Sequence, residues 1–178
     1  MSQSSKNSSE DYWFTEGDLP FAQQDISISV RTTKILVDKQ SEFGRIQIFD
    51  TPFFGRILVL DGIIQIANKT EFIYHEMMVT LPSISQGSPK NILIVGGGDG
   101  GAVKHALNIK SVERIVMVEI DQEVIDVCKE FIPEIADGAL ENKKVELIVG
   151  DGLKYVRESK EKFDVIVLDV SDPVPGGP

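Results

Sequence analysis

The stretch Asn91-Ile92-Leu93-Ile94-Val95-Gly96-Gly97-Gly98-Asp99-Gly100-Gly101 decides the fold. An apolar run of strand length ends in five glycines around one aspartate and opens into the amphipathic stretch Ala102–Asn108, the order of a strand that turns through a glycine loop into a helix. Glycines let the backbone pass close to a ligand that a side chain would push away, and a helix start presents unpaired N–H groups, so the loop reads as a nucleotide cradle. Asp99 narrows that reading. A carboxylate at the crown suits a cationic ligand and disfavours a pyrophosphate.

Downstream the chain alternates strand and helix, which predicts a parallel sheet. The expected strands are 91–95, 114–120, 145–149 and 164–169, and the expected helices are 102–108, 122–135 and 153–160. In the second helix Val124, Val127, Cys128, Phe131 and Ile135 form one apolar stripe, which makes Cys128 a core residue and not a nucleophile. Ligands of open α/β sheets bind at the carboxyl edge of the strands. Asp99, Glu119, Asp151, Asp169 and Asp172 all fall on that edge, whereas surface solvation would scatter them.

Each of these residues has a plain reading beside its chemical one. Gly96, Gly98 and Gly101 fit a dinucleotide fingerprint that recurs in glycine-rich turns, and Glu119, about 20 residues on, stands where an acidic side chain accepts from ribose hydroxyls. Asp151-Gly152 reads either as a helix cap or as a carboxylate accepting from an adenine amino group, with Gly152 leaving room for the ring; its place on the shared edge favours the second. Asp169 and Asp172 flank Val170-Ser171 and precede Pro173, an Asx-turn or a pair that holds and deprotonates an amine. A primary amine has a pKa of about 10.4 and must lose a proton to become a nucleophile. Tyr74 and His75 lie on a helix ahead of the loop, where core packing is the alternative to ligand binding. His75 and His105 have no Cys or third His at ligand spacing, so no metal is expected.

Upstream, Ile26–Ala67 carries short β-type runs with turn chemistry at Asp50-Thr51-Pro52 and Asp61-Gly62, an antiparallel meander. Thr70–Leu81 takes helical spacing with Phe72, Ile73, Met77 and Leu81 on one side, and Pro82 is expected to end it. Residues 1–11 read as a disordered tail, 12–69 as a small β domain and 70–178 as the ligand-binding α/β domain. The net charge of −10 comes from interspersed acidic residues without a basic stripe, which argues against nucleic acid as a partner. The chain has neither an apolar run of spanning length nor a signal-peptide core, and its single cysteine excludes an internal disulfide; no membrane partner is expected, and cytoplasm is the expected compartment.

With these residues in place the chain resembles the polyamine aminopropyltransferase family, the spermidine synthases. The resemblance runs from about Tyr12 to the last residues, on Gly55-Arg56-Ile57-Leu58-Val59-Leu60-Asp61-Gly62, Glu71-Phe72-Ile73-Tyr74-His75-Glu76-Met77, the glycine loop, Val118-Glu119-Ile120-Asp121 and Asp169-Val170-Ser171-Asp172-Pro173. It implies an α/β protein with a small N-terminal antiparallel β domain and a methyltransferase-like Rossmann domain, the latter incomplete at its C-terminus. It also implies decarboxylated S-adenosylmethionine as co-substrate, a diamine or polyamine as acceptor, and no prosthetic group. On the same ground Asp99 meets the donor's aminopropyl amine, Glu119 the ribose and Asp151-Gly152 the adenine. Tyr74, His75, Gln65, Asp169 and Asp172 bind the diamine, and Asp169 or Asp172 takes the proton.

The chain departs from the family pattern at Gly44, where a glutamine contacting the nucleoside is usual, and at Thr70, Val170 and Val174-Pro175-Gly176. It ends at Pro178 in the loop that opens the family's lid, before the later strands and a substrate-binding tyrosine. Other readings are an NAD-dependent oxidoreductase, disfavoured by Asp99, a methyltransferase, and a truncated nucleoside-binding domain without turnover. So few β strands bury little core alone, so assembly as a homodimer or homotetramer through them is expected.

Overall fold

A computed structural model describes residues 12–16 and 27–170. The expected tail, Ile26 and the run from Ser171 onward, Asp172 included, lie outside the described residues. Strand β1 (Tyr12–Thr15) pairs antiparallel with β2 (Ser29–Thr32). Strands β3 (Lys34–Gln40), β4 (Arg45–Thr51), β5 (Gly55–Leu60) and β6 (Ile63–Ala67) form the expected antiparallel meander, here of four strands. Asp61 and Gly62 turn β5 into β6 with φ of 50° and 83°, the left-handed pair that a tight hairpin requires. Two details differ from the sequence expectation. The single run expected up to Gln40 breaks at Thr33 into strands of two different sheets, and β1 was not foreseen, because its aromatic run Tyr12-Trp13-Phe14 has no polar–apolar alternation.

The second half is the expected parallel sheet. Strands β7 (Asn91–Gly96), β8 (Arg114–Glu119), β9 (Val145–Val149) and β10 (Val165–Asp169) lie in the order β10-β7-β8-β9, so the chain reverses direction across the sheet beside β7. In open α/β sheets such a reversal marks the place, outside the carboxyl ends of the strands, where ligands bind. Ile92, Ile94, Ile115 and Met117 pack on one face against α3 (Gly101–Leu107), while Leu93, Val116 and Val118 pack on the other with Tyr155 of α6 (Gly152–Glu158).

Helix α4 (Gln122–Phe131) joins the halves. Ile125 packs into the parallel-sheet core, whereas Val124, Val127 and Cys128 pack with Ile46, Ile48, Leu58 and Ile66 of the antiparallel sheet. Full burial of one such aliphatic side chain stabilises by about 1.5–3 kcal/mol. Cys128 is a core residue as expected, its thiol pushed well up by burial. The expected helix to Ile135 is interrupted. Ile132 leaves helical geometry at φ −134° and ψ 46°, and Pro133, which has no N–H to continue the ladder, starts the separate turn α5 (Pro133–Ala136).

Pro82 behaves differently from the expectation. The helical run is α1 (Glu71–His75), a π turn (Glu76–Thr80) and α2 (Leu81–Gln86), so Pro82 starts its last segment and does not end it. The π turn widens the ladder, with the Leu81 N–H donating to Glu76 O five residues back, and Pro82 takes a first-turn position where its missing N–H costs nothing. Glu71, His75, Val79 and Ser83 form the buried side of this run, while Phe72, Ile73, Met77 and Leu81 are exposed.

Candidate active site

The glycine loop folds as it does because each glycine has a neighbour that a side chain would displace. Gly96 has φ 84°, and a Cβ on it would overlap the Asp169 carbonyl, which accepts from Gly97 N–H at 2.9 Å. This close approach carries the end of β10, and with it Asp169, onto the loop. Gly98 abuts Glu119 and Val124, and a Cβ on Gly101 would overlap the His75 imidazole.

Four of the expected residues come together here. The Tyr74 hydroxyl donates to Asp169 Oδ1 at 2.9 Å, and His75 Nε2 lies 3.6 Å from Asp99 Oδ1. One ligand atom from each of His75, Asp99 and Asp169 lies within 4.8 Å of the others. Among the described residues, His75 Nε2 and Asp169 Oδ2 are buried with no hydrogen-bond partner, and Asp99 Oδ1 accepts from the Gly101 N–H at 2.7 Å. Burial pushes the Asp99 carboxyl up to about 6, against the pull of the Gly101 N–H and with help from the charges of Glu71 and Glu119. Asp169 is likewise pushed up to about 6, chiefly by burial and then by the neighbouring Asp99 charge. The cluster therefore holds two partly buried carboxylates beside a buried imidazole, with polar capacity left unmet among the described residues.

The other expected residues sit at a remove from this cluster. Glu119 is buried beside Gly98, accepts from Asp121 N–H at 2.9 Å, and is pushed up by burial. Asp151 caps α6, its Oδ1 accepting from Leu153 N–H at 2.8 Å and Lys154 N–H at 3.0 Å. Gly152 lies against Val95, so its missing side chain is used in packing α6 onto β7. Gln65 on β6 lines a groove of about 970 Å³ with Glu16, Ile64, Ile73, Tyr74 and Met77. At Gly44 a Cβ would meet Asp61 Oδ2 at 2.5 Å, so any side chain there requires Asp61 to move.

Sequence reasoning missed a layer behind His75. Glu71 Oε2 lies 2.6 Å from His75 Nδ1 and 3.3 Å from His105 Nε2, while its Oε1 accepts from Lys104 Nζ at 2.6 Å. The two imidazoles stack with centroids 5.6 Å apart. The spacing of Glu71 to His75, one helical turn, was the available signal. No Cys or third His joins His75 and His105 at ligand spacing in the sequence, yet the fold brings carboxylates to ligand spacing in Glu71-His75-His105 and in His75-Asp99-Asp169. In the first group the Lys104 ammonium already holds Glu71.

Residues 71–177 match the family model of the spermine/spermidine synthase domain, and residues 12–68 match that of the spermidine synthase tetramerisation domain. The polyamine aminopropyltransferase of Clostridium tetani is 44% identical over 163 residues, covering 92% of this chain and 57% of that protein. That of Methanocaldococcus jannaschii is 43% identical over 162 residues, covering 91% of this chain and 54% of that protein. A solved spermidine synthase in complex with the transition-state analogue AdoDATO superposes with a TM-score of 0.86 at 32% identity, covering 94% of this chain and 56% of that one. The Thermotoga maritima spermidine synthase gives a TM-score of 0.82 at 32% identity, covering 90% and 55%. The chain thus spans little more than half the length of these relatives.

Proposed function

Because the chain belongs to the spermine/spermidine synthase family, we propose that it carries the donor and acceptor pockets of an aminopropyltransferase. The reaction moves the aminopropyl group of decarboxylated S-adenosylmethionine to putrescine or a related polyamine and releases methylthioadenosine. The observation that carries this reading is the convergence of His75, Asp99 and Asp169, with His75 Nε2 and Asp169 Oδ2 buried and unpaired among the described residues. An ammonium group offers three N–H donors and a positive charge, the complement of that set.

In this reading Gly96, Gly98 and Gly101 give the donor backbone room, Glu119 holds its ribose, Asp151-Gly152 its adenine and Asp99 its aminopropyl amine. Asp99 also repels the carboxylate of ordinary S-adenosylmethionine. Tyr74, His75, Gln65 and Asp169 bind the diamine, and Asp169 or Asp172 takes its proton. The freed nitrogen lone pair attacks the methylene beside the sulfonium; the C–S bond breaks and its electrons leave on sulfur as a neutral thioether. A sulfonium is already a good leaving group, so the residues align, deprotonate and exclude water, and no prosthetic group is required. The match of residues 12–68 to a tetramerisation domain supports assembly as a homodimer or homotetramer through the N-terminal strands. The single cysteine supports a cytoplasmic setting, and among the described residues no helix is long and apolar enough to cross a membrane.

Calorimetric titration of decarboxylated S-adenosylmethionine, S-adenosylmethionine and NAD into the 178-residue chain tests the reading. The decarboxylated donor is expected to bind most tightly. S-adenosylmethionine binding as tightly or more so would favour a methyltransferase and overturn the assignment of Asp99.

A further inference from the structure

We infer that Glu71 is a positioning residue that fixes the proton of His75 on Nδ1, so that Nε2 faces the pocket as a hydrogen-bond acceptor. Glu71 opens α1 and is 7% exposed, and His75, one turn later, is wholly buried. An ionised carboxylate can only accept, so the Nδ1 held at 2.6 Å from Glu71 Oε2 carries the hydrogen, and in the neutral ring Nε2 is left with its lone pair. That lone pair is the buried, unpartnered atom 3.6 Å from Asp99 Oδ1. The ring cannot swing away, because α3 begins against it at Gly101, where even a Cβ would overlap.

The carboxylate is kept in the right form by its other neighbours. Burial pushes Glu71 up, yet the hydrogen bonds from Lys104 and His75 outweigh it and hold the group below the ordinary carboxylate range. Lys104 Nζ at 2.6 Å occupies Oε1, and His105 Nε2 stands 3.3 Å from Oε2. Lys104 therefore does more than balance charge. As a pure donor it commits Oε1 and leaves Oε2 to the imidazoles, with His75 Nδ1 nearer at 2.6 Å than His105 Nε2 at 3.3 Å.

This geometry makes Glu71→Gln informative. The amide has one acceptor and one donor end, and the Lys104 ammonium takes the acceptor. The NH₂ then faces His75 Nδ1, which must accept, and the ring proton moves to Nε2. His75 would present a donor to the pocket in place of an acceptor, with little change in size.

Long-range ¹H–¹⁵N NMR on the chain reads the tautomer directly, with the chain's two histidines told apart by the contact of His75 with Gly101. The wild type is expected to show Nδ1–H, and Glu71→Gln to show Nε2–H. Either a wild-type Nε2–H tautomer or an unchanged tautomer in Glu71→Gln overturns the inference. The wild-type spectrum decides it alone if the variant does not fold. The consequence for ligands rests on the aminopropyltransferase reading. 1,4-Diaminobutane should bind Glu71→Gln at least about tenfold more weakly, the size of a lost charge-assisted hydrogen bond, while methylthioadenosine, which has no aminopropyl amine, binds unchanged. A tautomer switch without that selective loss would contradict the amine pocket and leave the role of Glu71 standing. Equal losses for both ligands would mean that Glu71 only holds the fold, against the inference.

Discussion

Helix α4 and the helical run Glu71–Gln86 are both two-sided, and they bury opposite kinds of side. In α4 the inward residues are Val124, Ile125, Val127 and Cys128, shared between two apolar cores. In the run the inward residues are Glu71, His75, Val79 and Ser83, while Ile73 at 56% and Met77 at 62% exposure face out. An apolar stripe sets the orientation of a helix where nothing competes with it. Where Glu71, Lys104 and two histidines close a buried network, the ion pairs on Glu71 offset its desolvation, and the polar side turns inward. The outward apolar side is put to use as a wall of the groove beside Tyr74.

Three variants sharpen or break this contrast. The largest effect belongs to Ile125→Ala, fully buried between α4 and the parallel sheet, which is expected to cost about 2–5 kcal/mol in urea unfolding. A loss well under about 1 kcal/mol would mean that α4 is not the apolar bridge.

Next comes Asp169→Asn, which probes what the polar interior costs. Burial raises the folded-state pKa of Asp169 from 3.8 to about 6, so between those values the folded protein binds more protons than the unfolded chain and stability falls as pH rises. The wild type bears the full cost above that window. The variant is therefore expected to be more stable by about 1–3 kcal/mol at pH 7–8, with the gain vanishing as pH is lowered towards about 4, read from melting curves across pH. A destabilised variant at pH 7–8 would show that the charge is satisfied.

The smallest effect is Met77→Ala on the outward apolar side, expected within about 0.5 kcal/mol of wild type in the same unfolding assay. A loss of core size there would mean that this side is covered in solution, as by a second copy.

The parallel sheet was legible because its central strands β7 and β8 are buried on both faces and read as unbroken apolar runs, Ile92–Val95 above all, while β9 and β10 keep apolar runs although Val149, Ile166 and Leu168 are exposed. The glycine loop was legible because its turns need left-handed backbone, at Gly96, Gly97 and Gly100. The network behind His75 was not, since Glu71 and Lys104 come from different helices 33 residues apart, and only the fold brings them within 2.6 Å. Nor was the inward side of the run 71–86, because periodicity finds two sides without saying which one a buried ion pair will claim. The helix expected over 122–135 ran through Pro133, whose breaking effect it did not allow for; the apolar stripe survives the break because α5 resumes with Ile135 still in the core.

The converging acceptors are the centre of the account, and Asp99 is the one whose role separates ligands most cleanly. Decarboxylated S-adenosylmethionine carries the aminopropyl amine and methylthioadenosine does not, so calorimetry of both against wild type and Asp99→Asn isolates that contact. The account expects the variant to lose tenfold or more in affinity for the first, in keeping with a charge-assisted hydrogen bond of about 1.5–3 kcal/mol, and little or nothing for the second. Equal losses for the two ligands would contradict it.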